Sequence, residues 1–253
     1  MPKTAARYIE IDFPENKNAF NLEMATFLLN SIEEAELDPE CYVIVFKSNQ
    51  RACFSSGPRP ADLINMIENE GTVQIGEIIS VFNQVLLKIA QSRKFTIAAI
   101  HGYAYGGGFN LMLPCDYRIA VERTKFIENF YEMGITPDLG ASYFLPEILG
   151  FEKSLHLLLL EGLFTGKEAL EWGLIHETAP TKKEMMEKVE TICNKLIRGL
   201  SKRIIETKEI LKTSGKSTLE DQLVREKQAI LLCFEEKAVQ ERLKRTKIVN
   251  EKG

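Results

Sequence analysis

The sequence predicts an α/β protein, a parallel sheet assembled from repeated strand, loop and helix units with a helical region appended at the C-terminal end. Three observations lead there. Short β-branched runs alternate with helix-period segments through the first half of the chain. Several of these runs are apolar almost without interruption, as expected of strands covered on both faces. Beyond Gly150 the strand signals nearly vanish and helix formers take over. The expected division is a core over residues 1–195 and a helical region over residues 196–253.

Taken in order, residues 8–13 alternate in polarity like a strand and stop at Pro14, and an Asn-rich turn leads into a helix over Leu22–Leu37. Residues 42–46 form a buried strand, followed by a loop with Gly57, Pro58 and Pro60. Residues 61–67 and 78–89 read as helices before a second buried strand at Phe95–Ile100. The glycine run Gly106, Gly107, Gly108 opens a helix reaching Leu113, and Tyr117–Val121 is the next strand. Helices are expected over residues 151–160, 167–172, 182–197, 202–211 and 219–243. Capping boxes mark three starts, pairing Thr165 with Glu168, Thr181 with Glu184 and Ser217 with Glu220.

The chain has 253 residues, 45% of them apolar and 27% charged, which fits a folded globular protein and excludes disordered and fibrous classes. A net charge of −4, with one short basic patch at Lys244, Arg245 and Lys247, argues against a nucleic-acid partner. Residues 1–7 are too short and polar for a signal peptide, and no uninterrupted apolar run approaches the ~20 residues that cross a bilayer. No membrane association and a cytoplasmic location are therefore expected. Five cysteines without a CxxC pair read as reduced, partly buried thiols.

Three consecutive glycines at a helix start cost conformational entropy, so something must approach that backbone closely. A dinucleotide fingerprint fails because Leu111 stands where the third glycine belongs. Two readings remain open: backbone N–H groups aimed at a developing enolate oxygen, or close helix–sheet packing. Phosphate-loop motifs are broken by Ile210 and Glu168, His101, His156 and His176 share no metal-ligand spacing, and no GxSxG elbow is present.

The run Phe126, Ile127, Glu128, Asn129, Phe130 through Gly134, Ile135, Thr136, Pro137, Asp138 and Leu139 is more specific. Together with Phe54, Ser55, Ser56, Gly57, with residues 98–108, and with Cys115, Asp116, Tyr117 and Arg118, it resembles the crotonase family of enoyl-CoA hydratases and isomerases. Thr165, Gly166, Lys167 and Glu168 through Trp172, Gly173 and Leu174 resemble the family's later helical signature. The resemblance implies a ββα spiral core, a C-terminal helical trimerisation region in a homotrimer or dimer of trimers, and no cofactor. A coenzyme A thioester, or an acyl-carrier thioester, is then the substrate.

It also implies two backbone N–H groups that hold the thioester oxygen. One maps to Gly107. The other maps to Ala61, with Arg59 second, because three residues look inserted between Gly57 and the Asp62, Leu63 pair, and Pro58 has no N–H. For the ligand, the resemblance points to the loop Glu15, Asn16, Lys17, Asn18, Ala19 and to Ser56, Asp62 and Leu63, while Phe109, Phe130, Tyr131, Met133 and Leu139 read either as an apolar wall or as plain core residues. The two glutamates of the family's hydratases are replaced by Asn110 and Phe130, neither able to exchange a proton. Asp138 stands where isomerase branches place their carboxylate, although read locally it is a helix N-cap. Glu128 and Glu132 flank the site and are reserve candidates for the base behind Asp138, with a solvated face or an ion pair as their expected place.

The favoured expectation is thus a Δ3 to Δ2 enoyl-CoA isomerase with Asp138 as proton shuttle. The alternatives are a polyketide-tailoring decarboxylase or dehydratase, whose lysine and histidine have only Thr72 and Glu235 nearby, and a catalytically silent acyl-CoA binder.

Overall fold

The computed structural model describes residues 5–198 and 202–250. Residues 1–4 and the side chain of Lys247 in the basic patch lie outside the described part. Five parallel strands, β1 (Ala6–Ile11), β2 (Val43–Ser48), β3 (Phe95–Ile100), β5 (Tyr117–Val121) and β8 (Glu177–Ala179), form one sheet in that spatial order. A second sheet joins β4 (Tyr103–Tyr105) to β6 (Lys125–Ile127) in parallel and β6 to β7 (Leu163–Thr165) antiparallel.

The continuous apolar runs follow from this sheet being covered twice. Side chains alternate across a strand. Ile44, Phe46, Ala98 and Ile100 therefore enter the larger core, under helices α1 (Leu22–Leu37) and α3 (Val73–Gln91). Their neighbours Val43, Val45, Ile97 and Ala99 face the smaller core closed by Met185, Val189 and Cys193 of α8 (Lys182–Arg198). The α/β class, with its parallel sheet, is as the sequence predicts.

Several elements differ from the sequence reading, each for a local reason. β6, β7 and β8 are three residues long, too short to show a periodicity, and they are defined by pairing such as Phe126 against Phe164. Helix α2 (Pro60–Glu70) and α3 are separated at Gly71, whose φ of +65° ends the first. Helix α4 is only Gly107–Asn110, and turns follow it to Leu113. After α5 (Ala141–Leu149) and α6 (Phe151–His156), residues 157–161 widen into a π turn, and α7 (Gly166–Glu171) follows β7. The Thr165–Glu168 capping box is present in full, and Glu184 N–H donates to Thr181 Oγ1.

The chain divides into two compact units, the second beginning at Lys202. Helices α5 to α8 belong to the first, although strand signals fade beyond Gly150. In the second unit α9 (Lys202–Ser214) is followed by α10 (Leu219–Glu235) and α11 (Lys237–Asn250). The single helix expected over 219–243 breaks at Glu236, which is extended and whose carboxylate takes a 2.6 Å contact from Arg203. The α10 cap is Thr218, one residue beyond the expected Ser217, accepting the Asp221 N–H.

All five cysteines are free and four are buried, in line with the expectation of reduced thiols. α3 has the length and mean hydropathy of a membrane span, although the sequence reading found no such run. It interleaves Gln74, Glu77, Asn83, Gln84 and Lys88 with the apolar positions and packs Phe82, Val85, Leu86 and Ile89 into the core.

Candidate active site

The loops leaving β1, β2 and β3 meet at the carboxyl end of the sheet, where open α/β folds place their ligand sites. Asn18 joins the first two. Its buried amide donates to Ser48 Oγ and Phe54 O, both at 2.9 Å, while its Oδ1 accepts the Phe13 N–H at 2.7 Å. The resemblance places Asn18 in a ligand loop, and the structure adds its role in joining the loops; Lys17 and Asn18 both sit at positive φ, a region Asn tolerates. Across the same junction Ser56 N–H donates to Lys17 O and Phe20 N–H to Gly57 O. Tyr105 N–H then donates to Ser55 O, joining the third loop.

That third loop carries the glycine run. Gly106 has a φ of +43°, donates its N–H to Ile127 O at 2.7 Å and lies against the Phe130 ring. A Cβ on Gly107 would stand 2.7 Å from both Leu139 Cδ1 and Phe20 Cε2, so a side chain here would force these neighbours to shift. Close packing is thus one reason for the glycines. It leaves the other open, because Gly107 is the first residue of α4 and its N–H has no acceptor among the described residues.

The other expected donor is placed differently. Gly57 N–H is taken up by Ser55 Oγ at 3.1 Å, and Pro58 follows it without an N–H. Ala61 is the second residue of α2, exposed, with no acceptor for its N–H among the described residues. Arg59, at the N-cap, holds Asp62 through two bonds of 2.7 and 2.8 Å. Of the expected ligand residues, Lys17 is exposed, Ser56 and Leu63 are half-buried, and Ala19 is buried with its N–H on Asn16.

Asp138 follows a looped segment fastened by Ile135 N–H on Phe130 O and Met133 N–H on Asn129 O. Asn110 of α4 donates its Nδ2 to Asp138 O at 3.2 Å, tying this loop to the helix that Gly107 opens. Leu139 next to it adopts a φ of +48°, a left-handed conformation that a branched residue holds only under constraint from its surroundings. The constraint is visible: Leu139 is buried against Gly107. Asp138 is half-buried, and burial raises its carboxyl above the ordinary range, partly offset by its own backbone N–H. Its side chain is not the helix cap that the local reading allowed, because the N-cap of α5 is Gly140.

The structure brings Gly107, Phe130, Leu139 and Asp138 together, and adds Phe20, stacked on Phe82, which sequence reading missed. Phe109 instead packs into an aromatic core cluster with Phe126 and Phe164, at centroid distances of 5.2 and 5.6 Å. Tyr131 and Met133 are exposed. Glu132 is exposed as expected, but Glu128 corrects the expectation of a solvated or ion-paired group: it is fully buried and neither carboxylate oxygen has a partner among the described residues.

The sequence profile of the enoyl-CoA hydratase/isomerase family matches residues 3–248. The chain belongs to the enoyl-CoA hydratase/isomerase family. A crystal structure of an enoyl-CoA hydratase from Bacillus halodurans is 43% identical, with a TM-score of 0.80, and the match covers 96% of this chain and 97% of that one. Among curated relatives, the trans-2-decenoyl-[acyl-carrier-protein] isomerase of Streptococcus mutans is 22% identical over 81% of this chain and 75% of its own. The short-chain-enoyl-CoA hydratase of Clostridium acetobutylicum is 26% identical over 89% and 85%.

The fold of the enoyl-CoA hydratase/isomerase family, expected from the sequence as a crotonase-like core, is therefore the fold of this chain. Activity of the hydratase/isomerase type on an acyl thioester follows with it. Asn110 is fully buried and its Oδ1, like the Glu128 oxygens, lacks a partner among the described residues. Phe130, whose ring lies against Gly106, is 7% exposed.

Proposed function

We propose that the chain is an acyl-CoA double-bond isomerase of the Δ3 to Δ2 type, with the Asp138 carboxylate as the single proton carrier. The observation behind this reading is the linkage of Asp138 to Gly107 through the Asn110 hydrogen bond and the Leu139 side chain. One carboxylate is sufficient. It removes a proton from C2 of a 3-enoyl thioester, holds it, and returns it to C4 of the dienolate, while the Gly107 N–H steadies the charge on the thioester oxygen. The proton that leaves is the proton that returns, so the step calls for no cofactor. Hydration needs an activated water and a second proton carrier, and Asn110 and Phe130 supply neither.

A silent acyl-CoA binder is the second reading, favoured by one observation: Pro58 directly follows Gly57, so the earlier oxyanion donor falls to the exposed Ala61. Incubating the purified protein with 3-enoyl-CoA and following the conjugated 2-enoyl product decides between them. Turnover supports the isomerase; tight thioester binding without product supports the binder.

The pH profile of that assay has a definite sign. Asp138 acts as a base only when ionised, and burial raises its pKa. The rate should therefore fall on acidification with a midpoint above ~3.9, the ordinary aspartate value. An acid limb at or below that value would contradict Asp138 as the base.

A further inference from the structure

Glu128 follows β6, immediately beyond the Ile127 carbonyl that Gly106 N–H binds at 2.7 Å, and its own N–H donates to Gly162 O at 2.6 Å. Both backbone neighbours are thus fixed, and the side chain turns inward. It is 0% exposed, and neither oxygen has a hydrogen-bond or ion-pair partner among the described residues. A buried ionised carboxylate without a partner is strongly disfavoured, whereas the neutral acid loses far less on leaving water. Asp138 is the charged group that acts on it; Lys125, Glu132, Lys153 and Glu161 of the adjoining segments are exposed.

We propose that Glu128 is the second acid of the site, a positioning residue that keeps a proton while Asp138 carries the charge. The inference rests on the isomerase reading for its catalytic consequence only. With Glu128 neutral, the site holds one negative charge, free to take the C2 proton. With Glu128 ionised, a second charge stands beside Asp138 and opposes the negative charge building on the enolate. Burial first, and the Asp138 charge second, hold its pKa well above the ordinary glutamate range, so the neutral form persists as Asp138 titrates. Glu128 keeps its proton through the cycle, and the proton exchanged with substrate moves only between Asp138 and carbon.

Infrared titration of the full chain tests this without any substrate. A protonated-carboxyl C=O band is expected at neutral pH, lost in Glu128→Gln. In Asp138→Asn the band should remain at neutral pH but disappear at a lower pH than in the wild type, because the neighbouring negative charge is gone. In the kinetic arm, the wild-type rate falls again on the alkaline side, and Glu128→Gln removes that fall while leaving the acid limb in place. A structural role alone would lower the rate at every pH and leave the profile unchanged.

Absence of the band at neutral pH, its survival in Glu128→Gln, or an unmoved midpoint in Asp138→Asn would overturn the proposal. If Glu128→Gln does not fold, the Asp138→Asn titration, in which Glu128 is intact, decides alone. A correct titration without isomerase turnover would sink the activity reading and leave the second acid standing.

Discussion

Asp138→Asn is expected to lower 3-enoyl-CoA isomerisation by about 10²–10⁴-fold, the usual contribution of a positioned general base. The substitution preserves size and shape, and the bond from Asn110 goes to the Asp138 backbone carbonyl, which the substitution retains. The loop and the Leu139 contact with Gly107 should therefore survive, leaving KM for the thioester nearly unchanged while kcat collapses. Steady-state assay of conjugated product, with circular dichroism to confirm folding, is the check. A variant as fast as the parent would remove Asp138 from the chemistry.

The second large effect is expected at Gly107. An alanine Cβ would meet Leu139 Cδ1 and Phe20 Cε2 at 2.7 Å, far inside normal contact, so both must give way or the Gly107 backbone must shift. Phe20 is held by its stack on Phe82, at 3.8 Å between centroids, and Leu139 already occupies a strained backbone conformation beside Asp138. Gly107→Ala should thus displace the N–H donor and the base together. The expected loss is about 10²–10³ in kcat, comparable to removing one oxyanion donor, with about 1–3 kcal/mol of destabilisation from overpacking. Chemical denaturation and kinetics on the same preparation separate the two. A destabilised protein with unchanged kcat would make Gly107 a packing residue alone.

Much of this was legible in the sequence where local chemistry and periodicity agree. Leu22–Leu37, Phe95–Ile100 and Tyr117–Val121 are where the periodicity places them, and the apolar runs are covered on both faces. β6, β7 and β8 were not legible, because three residues paired with distant partners carry no period of their own. The site divides in the same way. The glycine run and Asp138 are visible as a motif, but the role of Phe20 depends on a ring stacked across the core. Glu128 shows the limit most clearly: a glutamate beside Asn129 and Phe130 reads as surface, and only the inward turn after β6 buries it.

The most direct test is a crystal structure of the protein holding an unreactive analogue of a 3-enoyl-CoA thioester. The account predicts the thioester oxygen on the Gly107 N–H, with an Asp138 carboxylate oxygen within about 3–3.5 Å of C2, the range of a reactive approach. An acyl chain bound with Asp138 turned away from C2, or a thioester oxygen out of reach of Gly107, would contradict it.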